Sequence, residues 1–168
     1  MIKFLGHAGF MYETTNELLL MDPWMSEKGA FDSSWYQFPS NHELGSEIKN
    51  QISETDKEVY IYISHEHKDH FDVEYLKKLN LEKVNFITPK FRRDHVAFVL
   101  NELNPKSVTT PIDSEVIKIG NLEIRLFLDD QEIVRDSAIG LFDKDLDFTF
   151  LNLNDCKVYD RVDELKDI

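Results

Sequence analysis

The stretch Ser64-His65-Glu66-His67-Lys68-Asp69-His70 constrains the fold of this chain more than any other feature. It places three imidazoles and two carboxylates, Glu66 and Asp69, directly behind the apolar run Val59-Tyr60-Ile61-Tyr62-Ile63. A run of that length, rich in β-branched and aromatic residues, reads as a buried strand. Neutral imidazole and carboxylate are the donors that zinc, iron and manganese prefer. The pattern therefore puts metal donors at the C-terminal end of a strand, where open α/β sheets bind their ligands. His65 and His67 alternate with Glu66, so on extended backbone both project to one side and can grip one ion. Asp69 and His70 are expected to hold a second, while Glu66 and Lys68 point to solvent. The competing reading is a solvated charged loop, against which the strand in front of it argues.

The surrounding pattern supplies the other elements. Ile2 to Phe4, Phe10 to Glu13 and Glu17 to Met21 read as strands, with a turn at Thr14-Thr15-Asn16. Residues 22–45 are rich in Gly, Ser, Pro and aromatics without periodicity and read as an ordered loop over the site, followed by a short helix over Ser46 to Ile52. Lys57 to Ser64 is the metal-bearing strand, and Asp72 caps a helix running to Leu79. Val84 to Thr88 is a strand, Phe91 to Leu103 a helix, and β pattern then returns at Val116 to Ile119, Leu122 to Leu128, Ala138 to Phe142 and Phe148 to Leu153.

Those motifs carry a family resemblance. His65-Glu66-His67-Lys68-Asp69-His70 resembles the HxHxDH motif of the metallo-β-lactamase-fold superfamily. Phe4-Leu5-Gly6-His7-Ala8-Gly9-Phe10 and Leu20-Met21-Asp22-Pro23-Trp24 resemble its first strands, and Leu151-Asn152-Leu153-Asn154-Asp155 the strand that delivers its bridging aspartate. Gly-His-Ala, Asp-Pro-Trp, Ser33-Ser34-Trp35-Tyr36 and Asn-Asp-Cys together resemble the metallo-β-lactamase-like domain of CMP-N-acetylneuraminate hydroxylases. The resemblance implies an α/β fold, the αββα sandwich, over a single domain spanning 1–168. It also implies a chain ending early, because family members continue beyond the bridging aspartate to a final histidine that is absent here.

The resemblance implies the site as well. His65, His67, Asp69, His70 and Asp155 become metal ligands, with Asp69 also orienting the nucleophilic water. Taken alone, an aspartate after Asn-Leu-Asn is more often a turn residue, and it is the apolar run Phe148-Thr149-Phe150-Leu151 in the matching family strand that favours the ligand reading. Where the family has a further histidine this chain has Arg135-Asp136-Ser137, so Asp136 is the expected substitute. A two-histidine, one-carboxylate set of His65, His67 and Asp136 favours non-haem iron over zinc. His7 is expected to line the pocket, and Asp22 to hydrogen-bond a ligand imidazole from behind. His42 and His95 are not expected to be ligands.

Composition narrows the partners. With 32 acidic against 19 basic residues the net charge is −13, which repels nucleic-acid backbones and anionic membranes and leaves a small-molecule substrate. A local basic pocket, for instance around Lys90, Arg92 and Arg93, could still hold one anionic ligand, although a solvated helix start is the commoner reading of such a cluster. A single cysteine, Cys156, excludes an internal disulfide. No run approaches membrane-spanning length and the N-terminus lacks the layout of a signal peptide, so the expected location is cytoplasmic. An exposed sheet edge would favour a homo-oligomer or a further C-terminal segment. The leading expectation is a hydrolase with one or two Zn or Fe ions, attacking an ester, amide or phosphodiester. The rivals are an iron-dependent oxygenase domain and a non-catalytic scaffold whose incomplete site binds metal weakly.

Overall fold

The computed structural model describes residues 1–131, 135–158 and 161–165. Its backbone is two sheets packed face to face. The first holds six strands in chain order: β1 (Ile2–Gly6), β2 (Gly9–Glu13), β3 (Glu17–Met21), β4 (Glu58–Tyr62), β5 (Val84–Ile87) and β6 (Ser107–Thr109). The β1–β2 and β2–β3 pairs are antiparallel, and β3–β4, β4–β5 and β5–β6 are parallel. The second sheet is antiparallel, ordered β10-β9-β8-β7, from β7 (Val116–Ile119), β8 (Leu122–Asp130), β9 (Arg135–Asp143) and β10 (Phe148–Asn152). Helices α1 (His42–Glu54), α2 (Val73–Leu76) and α3 (His95–Glu102) follow β3, β4 and β5, and α4 (Val162–Leu165) lies near the C-terminal end.

The period-2 geometry of β3 explains the layering. All five of its residues are buried, as expected for a central strand covered on both faces. Leu18 and Leu20 join the cluster with Ile48 and Ile52 of α1, Leu76 of α2 and Leu100 of α3. Leu19 and Met21 point the other way, against Ile124 and Leu126 of β8 and Ile139 and Leu141 of β9. Beyond the second sheet, Phe127 and Ala138 pack on Cys156, Val158 and Leu165. The order helix, sheet, sheet, with a smaller outer layer, is that of the αββα sandwich.

Several boundaries differ from the sequence expectation for identifiable reasons. Helix α3 starts four residues late, at His95, and the segment before it is tied elsewhere, the backbone N–H groups of Lys90 and Arg92 donating to the Pro111 carbonyl (2.8 Å) and Asp130 Oδ2 (3.0 Å). Strand β4 stops at Tyr62 because the Ser64 N–H leaves the ladder for Asp22 Oδ1. Helix α1 runs longer than its apolar signal, with Gly45, Ile48 and Ile52 its buried residues and a polar remainder. Asp72 caps α2 as expected, accepting from the Tyr75 N–H at 3.0 Å.

Candidate metal centre

Strands β3 and β4 are parallel neighbours, so both C-terminal ends open at one edge of the sheet. Asp22 leaves β3 there in a left-handed conformation (φ 43°), with its N–H bonded to the Tyr62 carbonyl at 3.0 Å. Its fully enclosed carboxylate accepts the Ser64 N–H (2.8 Å) on Oδ1, and the Ser64 hydroxyl (2.5 Å) and His70 Nδ1–H (2.7 Å) on Oδ2. The segment after Ser64 then closes a turn, with the N–H groups of His70 and Phe71 both bonded to the His67 carbonyl. That turn folds His70 back beneath His65, their ring centroids 4.2 Å apart.

Two groups of donors result. His65, His67 and Asp155 bring ligand atoms within 4.8 Å of one another, and His7, Asp69 and His70 do the same. In the first, His65 Nε2 lies 2.8 Å from His67 Nδ1. In the second, His7 Nε2 lies 2.9 Å from Asp69 Oδ2. Asp155, at the turn after β10, also faces the second group, its Oδ2 3.7 Å from His70 Nε2. Hydrogen bonds between the two sheets and within the second hold these parts in place. The Asn152 amide donates to the Ala8 carbonyl (3.0 Å), Asn154 to the Ser137 carbonyl (3.0 Å), and the Ser137 hydroxyl to the Ser64 carbonyl (2.8 Å).

These residues fit a metal on the structure's own terms. With its Nδ1 proton donated to Asp22, His70 turns a bare Nε2 lone pair toward carboxylate oxygens of Asp69 (3.9 Å) and Asp155 (3.7 Å). Among the described residues that nitrogen has no hydrogen-bond partner, and neither has Asp69 Oδ1, although both are buried. Buried acceptors facing one another are costly unless a proton or a cation lies between them. Burial and the neighbouring imidazoles of His70 and His67 push the His65 pKa down to about 3, keeping it neutral as a ligand must be. Burial works in the same direction on His70, but the hydrogen bond and charge of Asp22, with Asp69 and Asp155, outweigh it and the net shift is upward. Asp69 sits low despite its burial because His7 and His70 favour the carboxylate.

Three placements differ from the sequence expectation. Asp136 was the expected third partner of His65 and His67, yet it lies outside both donor groups, while Asp155, also expected as a ligand, lies in the first. Asp136 Oδ1 lies instead 3.0 Å from His65 Nδ1, behind the ring, beside the Ser64 hydroxyl at 2.9 Å. Register decides this: Asp136 is paired with Asp129 inside the β8–β9 ladder and cannot advance past the ring. Burial and the nearby charge of Asp155 raise its pKa. His7, expected only to line the pocket, stands within the second donor group, and the signal for it was the Gly6-His7-Ala8-Gly9 turn, with Gly6 at φ 111° and His7 at φ 50°. Glu66, expected in solvent, pairs with Arg135 of β9 at 2.5 Å.

Comparison with known proteins places the chain. Residues 1–140 match the model of the beta-lactamase superfamily domain. The chain belongs to that superfamily. Among solved structures, CmlA, a diiron β-hydroxylase from Streptomyces venezuelae, superposes with a TM-score of 0.67 at 16% identity, covering 98% of this chain and 32% of that one. A possible metal-dependent hydrolase from Veillonella parvula gives 0.63 at 13% identity, covering 97% and 64%. Isothiocyanate hydrolase from Delia radicum gut bacteria gives 0.56 at 11% identity, covering 85% and 58%. Curated relatives include a Mycolicibacterium smegmatis protein provisionally named a Rieske 2Fe-2S iron-sulfur protein, 35% identical over 98 residues, covering 55% of this chain and 17% of its own length. A Mycobacterium tuberculosis protein with the same kind of name is 41% identical over 76 residues, covering 45% and 13%. This chain thus spans less than a fifth of the length of the curated relatives it matches. The superfamily fold serves both metal-dependent hydrolases and a diiron hydroxylase. Among the described residues no helix is long and apolar enough to cross a membrane.

Proposed function

We propose that this superfamily member is a non-haem iron oxygenase domain that oxidises a small organic substrate, with electrons delivered from an iron–sulfur centre. Donor composition carries the reading. Each of the two groups consists of two imidazoles and one carboxylate, the set that suits non-haem iron with open positions. The Rieske name borne by relatives 35–41% identical over their matched segments supports an electron donor of that class.

In this reading His65, His67 and Asp155 would hold one ion and His7, Asp69 and His70 the other, with the Asp155 carboxylate facing both groups. Bound iron would supply oxygen activation and one-electron chemistry that no side chain here provides. The chain's own residues supply orientation. Asp22 keeps the His70 proton on Nδ1, so Nε2 remains a donor, and Ser64 and Asp136 face the corresponding nitrogen of His65. Anaerobic loading with ferrous iron, followed by reductant and oxygen, should give oxygen consumption above that of free iron, lost in His65→Ala. Consumption equal to free iron would reject the oxygenase reading.

A second reading, hydrolysis, rests on one observation. Asp69 is held by His7 through Oδ2 while its buried Oδ1 has no partner among the described residues. That oxygen is available to orient a water for attack on an ester, amide or phosphodiester. Ester turnover by the zinc-loaded chain, abolished in Asp69→Asn, would favour hydrolysis over oxidation.

A further inference from the structure

We propose that the cleft beside His7 binds a small organic cation with an aromatic or apolar body; this rests on the oxygenase reading and names its class of substrate. The cleft, about 800 Å³, runs between the Gly6–His7 turn, the loop carrying Trp24 and Trp35, and the first turns of α1. That volume lies within the range of ordinary small-molecule sites.

Its lining is uneven in polarity. Both tryptophans of the chain, Trp24 and Trp35, line it, together with Tyr36 and Phe38. Trp35, Tyr36 and Phe38 are more than half exposed, so ring surface is open to a ligand. The loop is held in shape rather than free, since Ala30 and Trp35 exchange backbone hydrogen bonds at 2.9 and 3.2 Å and the Phe31 ring meets Trp35 edge-on. Among the described residues no lysine or arginine lines the cleft. Its amide donors are already engaged: Gln37 Nε2 with the Trp24 carbonyl (2.5 Å), and Asn41 Nδ2 with the carbonyls of Leu5 (2.7 Å) and Trp24 (3.0 Å).

What remains free is acceptor capacity. Gln37 Oε1 is buried without a partner among the described residues. Glu43 and Glu47 lie four apart on α1, so they share one helix face. A cleft that offers carboxylates and ring faces but no free cationic donor attracts positive charge, through Coulomb attraction and the quadrupoles of the rings. An overall charge of −13 enriches cations near the entrance and depletes anions. His7 belongs both to the cleft wall and to the second donor group, so a molecule seated here ends beside the candidate metal centre.

The test needs no metal. Because both tryptophans line the cleft, intrinsic fluorescence of the metal-free 168-residue chain reports occupancy directly. Three probes of similar size would be titrated: 2-phenylethylammonium, neutral 2-phenylethanol and anionic 3-phenylpropionate. The cation should bind saturably and about tenfold more tightly than the anion, consistent with desolvated cation–π contact added to the carboxylates. Glu43→Gln with Glu47→Gln, both at exposed positions, should weaken the cation severalfold and leave the alcohol unchanged. Phenylpropionate or phenylethanol binding as tightly as the cation would overturn the proposal, as would an unaltered double variant or no saturable response to any probe. Iron-dependent oxygen consumption is a separate readout, so failure of the cleft and failure of the oxygenase reading are distinguishable.

Discussion

Replacing Asp22 by asparagine isolates the role of a carboxylate that sits behind the metal donors. Asp22 accepts three hydrogen bonds, two of them on Oδ2 from Ser64 Oγ and His70 Nδ1. An asparagine oxygen can keep the Ser64 N–H, which leaves the amide NH2 facing His70. Two donors cannot pair, so the imidazole must move its proton to Nε2, the nitrogen turned toward Asp69 and Asp155. A protonated Nε2 is not a metal donor. The loss is one charge-assisted hydrogen bond, about 1.5–3 kcal/mol. Removal of an outer partner of a ligand histidine typically lowers metal affinity about 10–100-fold, in agreement with that energy. Chelator competition on wild type and Asp22→Asn, with circular dichroism as a check on folding, measures the effect. A folded variant with unchanged metal affinity would refute the argument that Asp22 sets the His70 tautomer.

Other expectations concern the scaffold. The Tyr12 hydroxyl donates to Asp143 Oδ2 at 2.7 Å across the two sheets, and Asp143 is only 3% exposed. Tyr12→Phe should therefore cost about 1–3 kcal/mol by leaving a buried carboxylate oxygen unpaired, read as a lower denaturant midpoint with an unchanged slope. The phenols of Tyr12, Tyr60, Tyr62 and Tyr75 all titrate above the ordinary value, first because of burial and then through neighbouring carboxylates. A raised folded pKa gives stabilisation that is complete below pH ~10 and fades as the unfolded chain ionises above it. Phenolate absorbance of the folded chain just above that pH should fall well below that of the unfolded chain, while stability declines.

Elements with a strong period were legible from sequence. Strand β3 was bounded correctly because Glu17 to Met21 is a buried run between turn residues, and β7 because Gly120-Asn121 ends it. Strand β6 was missed because three edge residues, Ser107 to Thr109, carry no alternation. That His65, His67, Asp69 and His70 share one sheet edge follows from their spacing within one segment; their division between two donor groups does not. The placement of Asp136 beside His65 Nδ1 could not be read from sequence, since it depends on the register between β8 and β9. The Gly6-His7-Ala8-Gly9 turn marks His7 as a residue held in a special conformation, but its nearness to Asp69 needs a tertiary contact between residues 62 positions apart.

The most direct test of the two-site account is metal counting after anaerobic loading with ferrous iron and removal of the excess. Wild type should retain two ions per chain, one for each donor group. His7→Ala should retain close to one, because it removes a donor from the second group alone, and His65→Ala with His67→Ala should remove the other ion. A single ion in wild type, or two ions retained by His7→Ala, would contradict the assignment of His7, Asp69 and His70 as a metal set.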